Sequence, residues 1–266
     1  MSRIDQRTNA RQSGKSHRQR IISRLELSIA HAFMSWATVL LCFLYLVQFD
    51  RLENIGHFTQ SPCVWIIILA EVGKHYINKH LFNIEADQKE VIPGVRKVPP
   101  PLTTFKKIKQ LSRSIAFLIL GIFIFALICI LFGAPYLNQR NETVTLAVVL
   151  ATLSIMPFTL YVGPKGTMLY LFFENYELST KLQCGYLQVM HYNAVGALVG
   201  AWVASVVVPL DWDRPWQAYP IPNVCGAIIG SAFGALYSMV ATIIRSRKRE
   251  EQRAKANEQP NELKTE

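Results

Sequence analysis

The stretch PCVWIIILAEVGKHYINKHLF, residues 62–82, decides how the chain is built. Its first nine residues are apolar, but Glu71, Lys74, His75, Lys79 and His80 follow. Charged groups near the middle of a membrane span cost roughly 2.5–3.5 kcal/mol each on insertion scales, so hydropathy alone argues against insertion. The flanking charge argues for it. The segment before the first apolar run carries Arg3, Arg7, Arg11, Lys15, Arg18, Arg20 and Arg24, and residues 89–113 carry Lys89, Arg96, Lys97, Lys106, Lys107, Lys109 and Arg113. Basic segments of this density stay cytosolic, and two on the same side require an even number of crossings between them. Residues 62–82 therefore span together with the preceding run at 27–48, with Lys74 and Lys79 reaching toward the cytosol. The alternative for 62–82 is a re-entrant or interfacial segment.

Outward from this hairpin, further apolar runs lie at 112–134, 143–163, 190–210 and 222–244. Each is long enough to cross about 30 Å of hydrocarbon. The expected fold is thus an all-α, polytopic helical membrane bundle with six transmembrane helices and both termini cytosolic. Residues 1–26 form a basic tail, 27–244 the membrane domain and 245–266 a charged tail. The first 26 residues lack the apolar core and cleavage site of a signal peptide, so the first span is expected to act as the membrane signal. Of the 28 Lys and Arg residues, only Arg51, Arg140 and Arg214 fall on the non-cytosolic side.

Composition agrees with this architecture. Hydrophobic residues make up 51% of the 266-residue chain and charged residues 17%, with a net charge of +10 and a mean hydropathy of +0.21. Disorder needs lower hydrophobicity, and a nucleic-acid binder carries its basic charge through a polar domain. The +10 here is an orientation signal, and no nucleic-acid partner is expected. The five cysteines, Cys42, Cys63, Cys129, Cys184 and Cys225, form no CxxC pair, so neither a zinc site nor a disulfide framework is indicated. No metal or cofactor is expected. Gly163-Pro164 has no counterpart in the first half, which disfavours the inverted repeats of many transporters.

Three groups of residues have the potential to carry function. The first is the connection between the last two spans, PLDWDRPWQ at 209–217, continuing to Pro222. Asp211, Trp212, Asp213, Arg214, Trp216 and Gln217 combine interfacial aromatics, a stiff proline-rich turn and an arginine able to meet a carboxylate or phosphate. An aromatic belt with a neutralised turn, a partner-docking loop and a lipid-headgroup contact all fit this pattern. The second group is Gly196 and Gly200 in span five with Gly226, Gly230 and Gly234 in span six. Small residues at intervals of four let helices approach closely, and internal packing of these two spans is favoured over homodimerisation. The third is Glu71 with His75, one turn apart on one helix face. A proton relay or metal site would use such groups, but His80 turns to another face, and a mutual hydrogen bond or ion pair easing burial is the simpler reading. His31 is expected to be a helix-packing hydrogen bonder. Asn141-Glu142-Thr143 is a glycosylation sequon crowded against span four.

The connections at 49–61, 135–142 and 211–221 are too short to fold a catalytic domain, and no P-loop, nucleophile elbow or HExxH motif occurs. The carboxyl half carries a family signature. Val199-Gly200-Ala201-Trp202, PLDWDRPWQ, Pro220-Ile221-Pro222 and the glycine-rich last span, together with LFGAP at 131–135 and Gly163-Pro164, closely resemble the phosphatidylinositol-glycan class F (PIG-F) family. The resemblance covers residues 112–245 well and the first two spans only in pattern; the basic tail and the connection near 83–110 carry no landmark. It implies a multi-pass protein of the endoplasmic reticulum that works in glycosylphosphatidylinositol (GPI) anchor assembly. Its role there would be a non-catalytic subunit that binds and stabilises the large ethanolamine phosphate transferases, PIG-O and PIG-G, amid membrane lipids. A membrane-embedded enzyme or a lipid carrier handling the phosphoethanolamine donor is the alternative.

Overall fold

A computed structural model describes residues 25–46, 48, 55, 62–82, 104–172, 186–210 and 214–262. Most of the basic amino tail, the connection at 83–103, and Asp211, Trp212 and Asp213 lie outside the described residues. The fold is an all-α membrane bundle. Its helices are α1 (Leu25–Leu46), α2 (Pro62–Phe82), α3 (Thr104–Leu131), α4 (Arg140–Ser154), α5 (Met156–Phe172), α6 (Tyr186–Ala204) and α7 (Ile221–Glu262). Helices α1, α3, α6 and α7 are long and apolar enough to cross a membrane, and α4 with α5 makes a fifth if the bent pair is one span. Helix α2 is continuous over 21 residues, but Glu71, Lys74 and Lys79 within it keep it below that standard. The sixth crossing therefore depends on how α2 hides its polar groups.

Local sequence explains the breaks. Helix α3 ends in a Schellman cap: Gly133, at φ 94°, donates its N–H to Ile130 O (2.9 Å), and Ala134 donates to Cys129 O (3.0 Å). Pro135 then prevents continuation. The LFGAP string is thus a helix stop. Between α4 and α5 the axis bends by 72°. Pro157 has no N–H to offer the Leu153 carbonyl and its ring crowds that turn, which accounts for the bend at Ile155. A second break falls at Gly163, with φ 76° and ψ 170°, immediately before Pro164. Helix α4 spans only about 22 Å at 1.5 Å per residue, too short to cross alone.

Helix α4 is the buried centre, with every residue from Leu146 to Ser154 covered. It packs against α2, α3, α5, α6 and α7. One core cluster joins Cys42 and Leu46 of α1, Cys63, Val64 and Ile67 of α2, the inner face of α4, and Ile221, Val224 and Ile228 of α7. A second, at the opposite end, joins Leu27, Phe158, Tyr161, Tyr186, Leu187 and Met190. Outward-facing side chains are large and apolar, including Phe33, Leu40, Phe123, Trp202 and Phe233. That surface suits lipid, since hydrocarbon demands no polar outer face.

Candidate functional site

Two polar features stand out from this apolar frame. The first is a buried cluster where α1, α2 and α6 meet. Residues 71, 74 and 78 recur at helical spacing and form one stripe of α2. Glu71 ion-pairs with Lys74, and Lys74 Nζ also donates to Ser35 Oγ of α1 at 3.4 Å. Both charged side chains are only 4% exposed. Lys74 therefore does not reach for the membrane surface, as the sequence suggested; it is neutralised in place. Nor does Glu71 pair with His75, which is half-buried and has no hydrogen-bond partner for its Nδ1. Lysine takes the carboxylate because residues three apart on a helix face one another as well as residues four apart, and an ammonium carries full charge.

One turn along, His31 of α1 sits between two amides. Asn78 of α2 lies 3.3 Å from its Nδ1, and Asn193 of α6 lies 2.7 Å from its Nε2. A neutral imidazole offers one donor and one acceptor, so one amide gives its NH2 to the ring and the other must turn its Oδ1 to accept the ring N–H. Tyr186 stacks edge-on against His31 with centroids 5.9 Å apart, and Tyr161 of α5 stacks on Tyr186 at 5.2 Å. The sequence marked His31 as a packing hydrogen bonder but gave no sign of its partners. Asn78, seven residues after Glu71, was the signal available within α2; Asn193 carried none. The arrangement can lock three helices in register, but it leaves no free carboxylate for acid–base chemistry. Among the described residues, no group of three His, Cys, Asp or Glu side chains could hold a metal ion.

The second feature is the turn between α6 and α7. After Arg214, in extended conformation, Pro215–Gln217 forms a single 3-10 turn. Gln217 points inward, 6% exposed. Its Nε2 donates to Val207 O at 2.8 Å and to Leu210 O, tying the turn to the end of the preceding helix. Tyr219 donates to Thr143 Oγ1 of α4 at 3.3 Å, and burial pushes its hydroxyl pKa up to about 12, so it stays protonated as a donor. With the turn braced on both sides, Arg214 and Trp216 stand exposed at its tip. Gln217 is thus a brace and not an outward contact. Beside it, Thr143 of the sequon is fully buried and bonded to Gln139 O.

The glycines lie between α6 and α7. A Cβ on Gly196 would run into the Gly230 carbonyl oxygen and the reverse, Gly200 and Gly226 face each other likewise, and Gly234 faces the Tyr192 carbonyl. The two backbones touch along an antiparallel ladder, which Asn223 extends by donating to Ala201 O at 3.2 Å.

Against known proteins, the family model for GPI biosynthesis protein family Pig-F matches residues 15–239. The chain belongs to the Pig-F family. Among its relatives, a Pig-F/3-ketodihydrosphingosine reductase fusion protein of Schizosaccharomyces pombe is 33% identical over 139 residues, 52% of this chain and 26% of that protein. The human GPI ethanolamine phosphate transferase, stabilizing subunit, is 32% identical over 133 residues, 50% of this chain and 58% of that protein. Glycosylphosphatidylinositol anchor biosynthesis protein 11 of Yarrowia lipolytica is 28% identical over 160 residues, 58% of this chain and 62% of that protein. The chain thus spans from a quarter to three fifths of these Pig-F relatives. No solved structure shows a significant match.

Proposed function

We propose that this chain is a non-catalytic membrane subunit that binds and stabilises a GPI ethanolamine phosphate transferase of the PIG-O or PIG-G type in the endoplasmic reticulum. Membership of the Pig-F family supports this, as does the naming of the human and mouse relatives as stabilizing subunits. In this reading the chain crosses six times, with α2 and the bent α4–α5 pair each counted as a span, and both ends are cytosolic. Residues 1–26 and 245–266 are the flanking tails of the 27–244 membrane domain. The transferase supplies the catalytic domain in the lumen, and the chain supplies membrane packing and a lumenal contact.

The observation that carries the proposal is the braced turn. Inward Gln217 fixes the backbone, so Arg214 and Trp216 are presented with little conformational freedom left to lose on binding. A tryptophan and an arginine side by side are the residue types that dominate interface energetics. Asp211, Trp212 and Asp213 flank them in sequence and complete the proposed contact. The test is Arg214→Ala and Trp216→Ala in cells, with the chain's own abundance as control. Each is expected to lower the co-purified transferase and surface GPI-anchored protein at least severalfold while the chain itself persists. Normal transferase levels beside a stable variant would remove the turn from the interface. Headgroup transfer by the purified chain alone would instead favour the enzyme reading.

A further inference from the structure

The turn between α3 and α4 lies at the same end of the bundle as the braced turn between α6 and α7. Ala134 of the first and Tyr219, just past Gln217, pack on one core cluster. The Tyr219 hydroxyl also bonds Thr143, in the first turn of α4, at 3.3 Å. The α3–α4 turn is held from within as well. Beyond the Gly133 cap, the backbone N–H of Tyr136 donates to Ala134 O (2.8 Å), that of Gln139 to Pro135 O (2.9 Å) and that of Thr143 to Gln139 O (3.2 Å).

The side chains on this turn match those on its neighbour. The Arg140 guanidinium lies over the Tyr136 ring, 5.8 Å from its centroid, within the range of a cation–π contact. Leu137 is 81% exposed, and Asn138, Arg140 and Asn141 around it are exposed too. Polar neighbours on this scale put the tip outside the hydrocarbon, so lipid tails do not cover the leucine. A phosphate offers Leu137 nothing, whereas the apolar centre of a protein interface buries such a side chain while the polar rim takes the arginine. Residues 131–141 contain this arginine and no acid, so the turn complements an acidic face.

We propose that the α3–α4 turn is the second half of the transferase contact. Leu137 enters an apolar pocket of the transferase's lumenal domain, and Arg140, steadied by Tyr136, meets a carboxylate at the pocket's rim. This rests on the subunit role and the orientation given above, and it adds a contact that neither requires. The Tyr219–Thr143 bond joins the two turns into one platform, so binding has little left to order between them.

The test places a photoreactive benzophenone side chain at Leu137, at Trp216 or at Phe123, the last exposed on the membrane face of α3. Each full-length chain is irradiated in endoplasmic reticulum membranes, and adducts are identified with antibody to the transferase. Positions 137 and 216 should both capture it, and position 123 should not. In parallel, Leu137→Ser and Arg140→Ala should each lower the co-purified transferase severalfold at unchanged chain abundance, and Arg140→Glu should lower it further. Transferase adducts from 216 with only lipid adducts from 137 would overturn the second contact and leave the subunit role standing. So would Arg140→Glu retaining the transferase fully. Transferase abundance that does not fall when the chain is absent would overturn the subunit role, and this contact with it.

Discussion

Glu71 and Lys74 are each tolerable in the bundle only because of the other. Deleting one partner of a buried pair leaves an uncompensated charge and costs about 3–5 kcal/mol, whereas replacing both by apolar or neutral groups is often neutral. Glu71→Gln and Lys74→Met should therefore each lower the thermal stability of the detergent-purified chain strongly. The double variant should recover most of the loss; additive losses would show that the pair is not coupled. His31→Ala removes the group that both amides address and leaves Asn193 buried without its partner, at about 1–3 kcal/mol. His75→Ala breaks no hydrogen bond to its Nδ1 and should change stability far less. The sequence pointed to Glu71 and to His31 separately, yet paired the acid with the wrong neighbour. Spacing within one helix gives the candidates i+3 and i+4; the fully charged ammonium takes the carboxylate, and Ser35 on another helix also receives it, a contact that no periodicity encodes.

At the level of elements, the α6–α7 seam has no spare volume. Ala at Gly200 or Gly230 puts a methyl group against a carbonyl oxygen of the facing helix. Overpacking of this kind costs about 1–3 kcal/mol per site. Gly73 of α2 is the matched control, since nothing lies within 4 Å of its Cβ position, and Ala there should be neutral or slightly stabilising through helix propensity. Thermal unfolding of the three single variants separates the cases: equal losses at Gly73 and Gly200 would mean that backbone flexibility, not close approach, sets the requirement. The seam was legible in the sequence because its glycines repeat at the helical interval on two neighbouring spans. The bend between α4 and α5 has its cause in Pro157, but the residue does not set its size. A proline removes a hydrogen bond, and the surrounding helices decide how far the axis swings.

For the whole molecule, charge placement gives an orientation to test, and packing makes the span count harder to read. A glycosylation tag after residue 266 should stay unmodified, and its modification would exclude a six-span chain with a cytosolic amino end. Hydropathy scores each residue of α2 against lipid, whereas Glu71, Lys74 and Asn78 meet Ser35, His31 and each other. The braced turn was visible as a dense string of rigid residues, although Gln217 could not be told from its outward neighbours until its carbonyl partners were placed. The His31–Asn193 contact also sets a clock. Its partners are 162 residues apart, and synthesis at roughly 5–20 residues per second separates them by on the order of 8–30 s. During that interval His31 has Asn78 but lacks Asn193 and Tyr186, two of its three ring contacts. A chain that stops before α6 never closes them, so a truncation at the far end leaves its mark on His31 of α1, a residue the truncation did not touch.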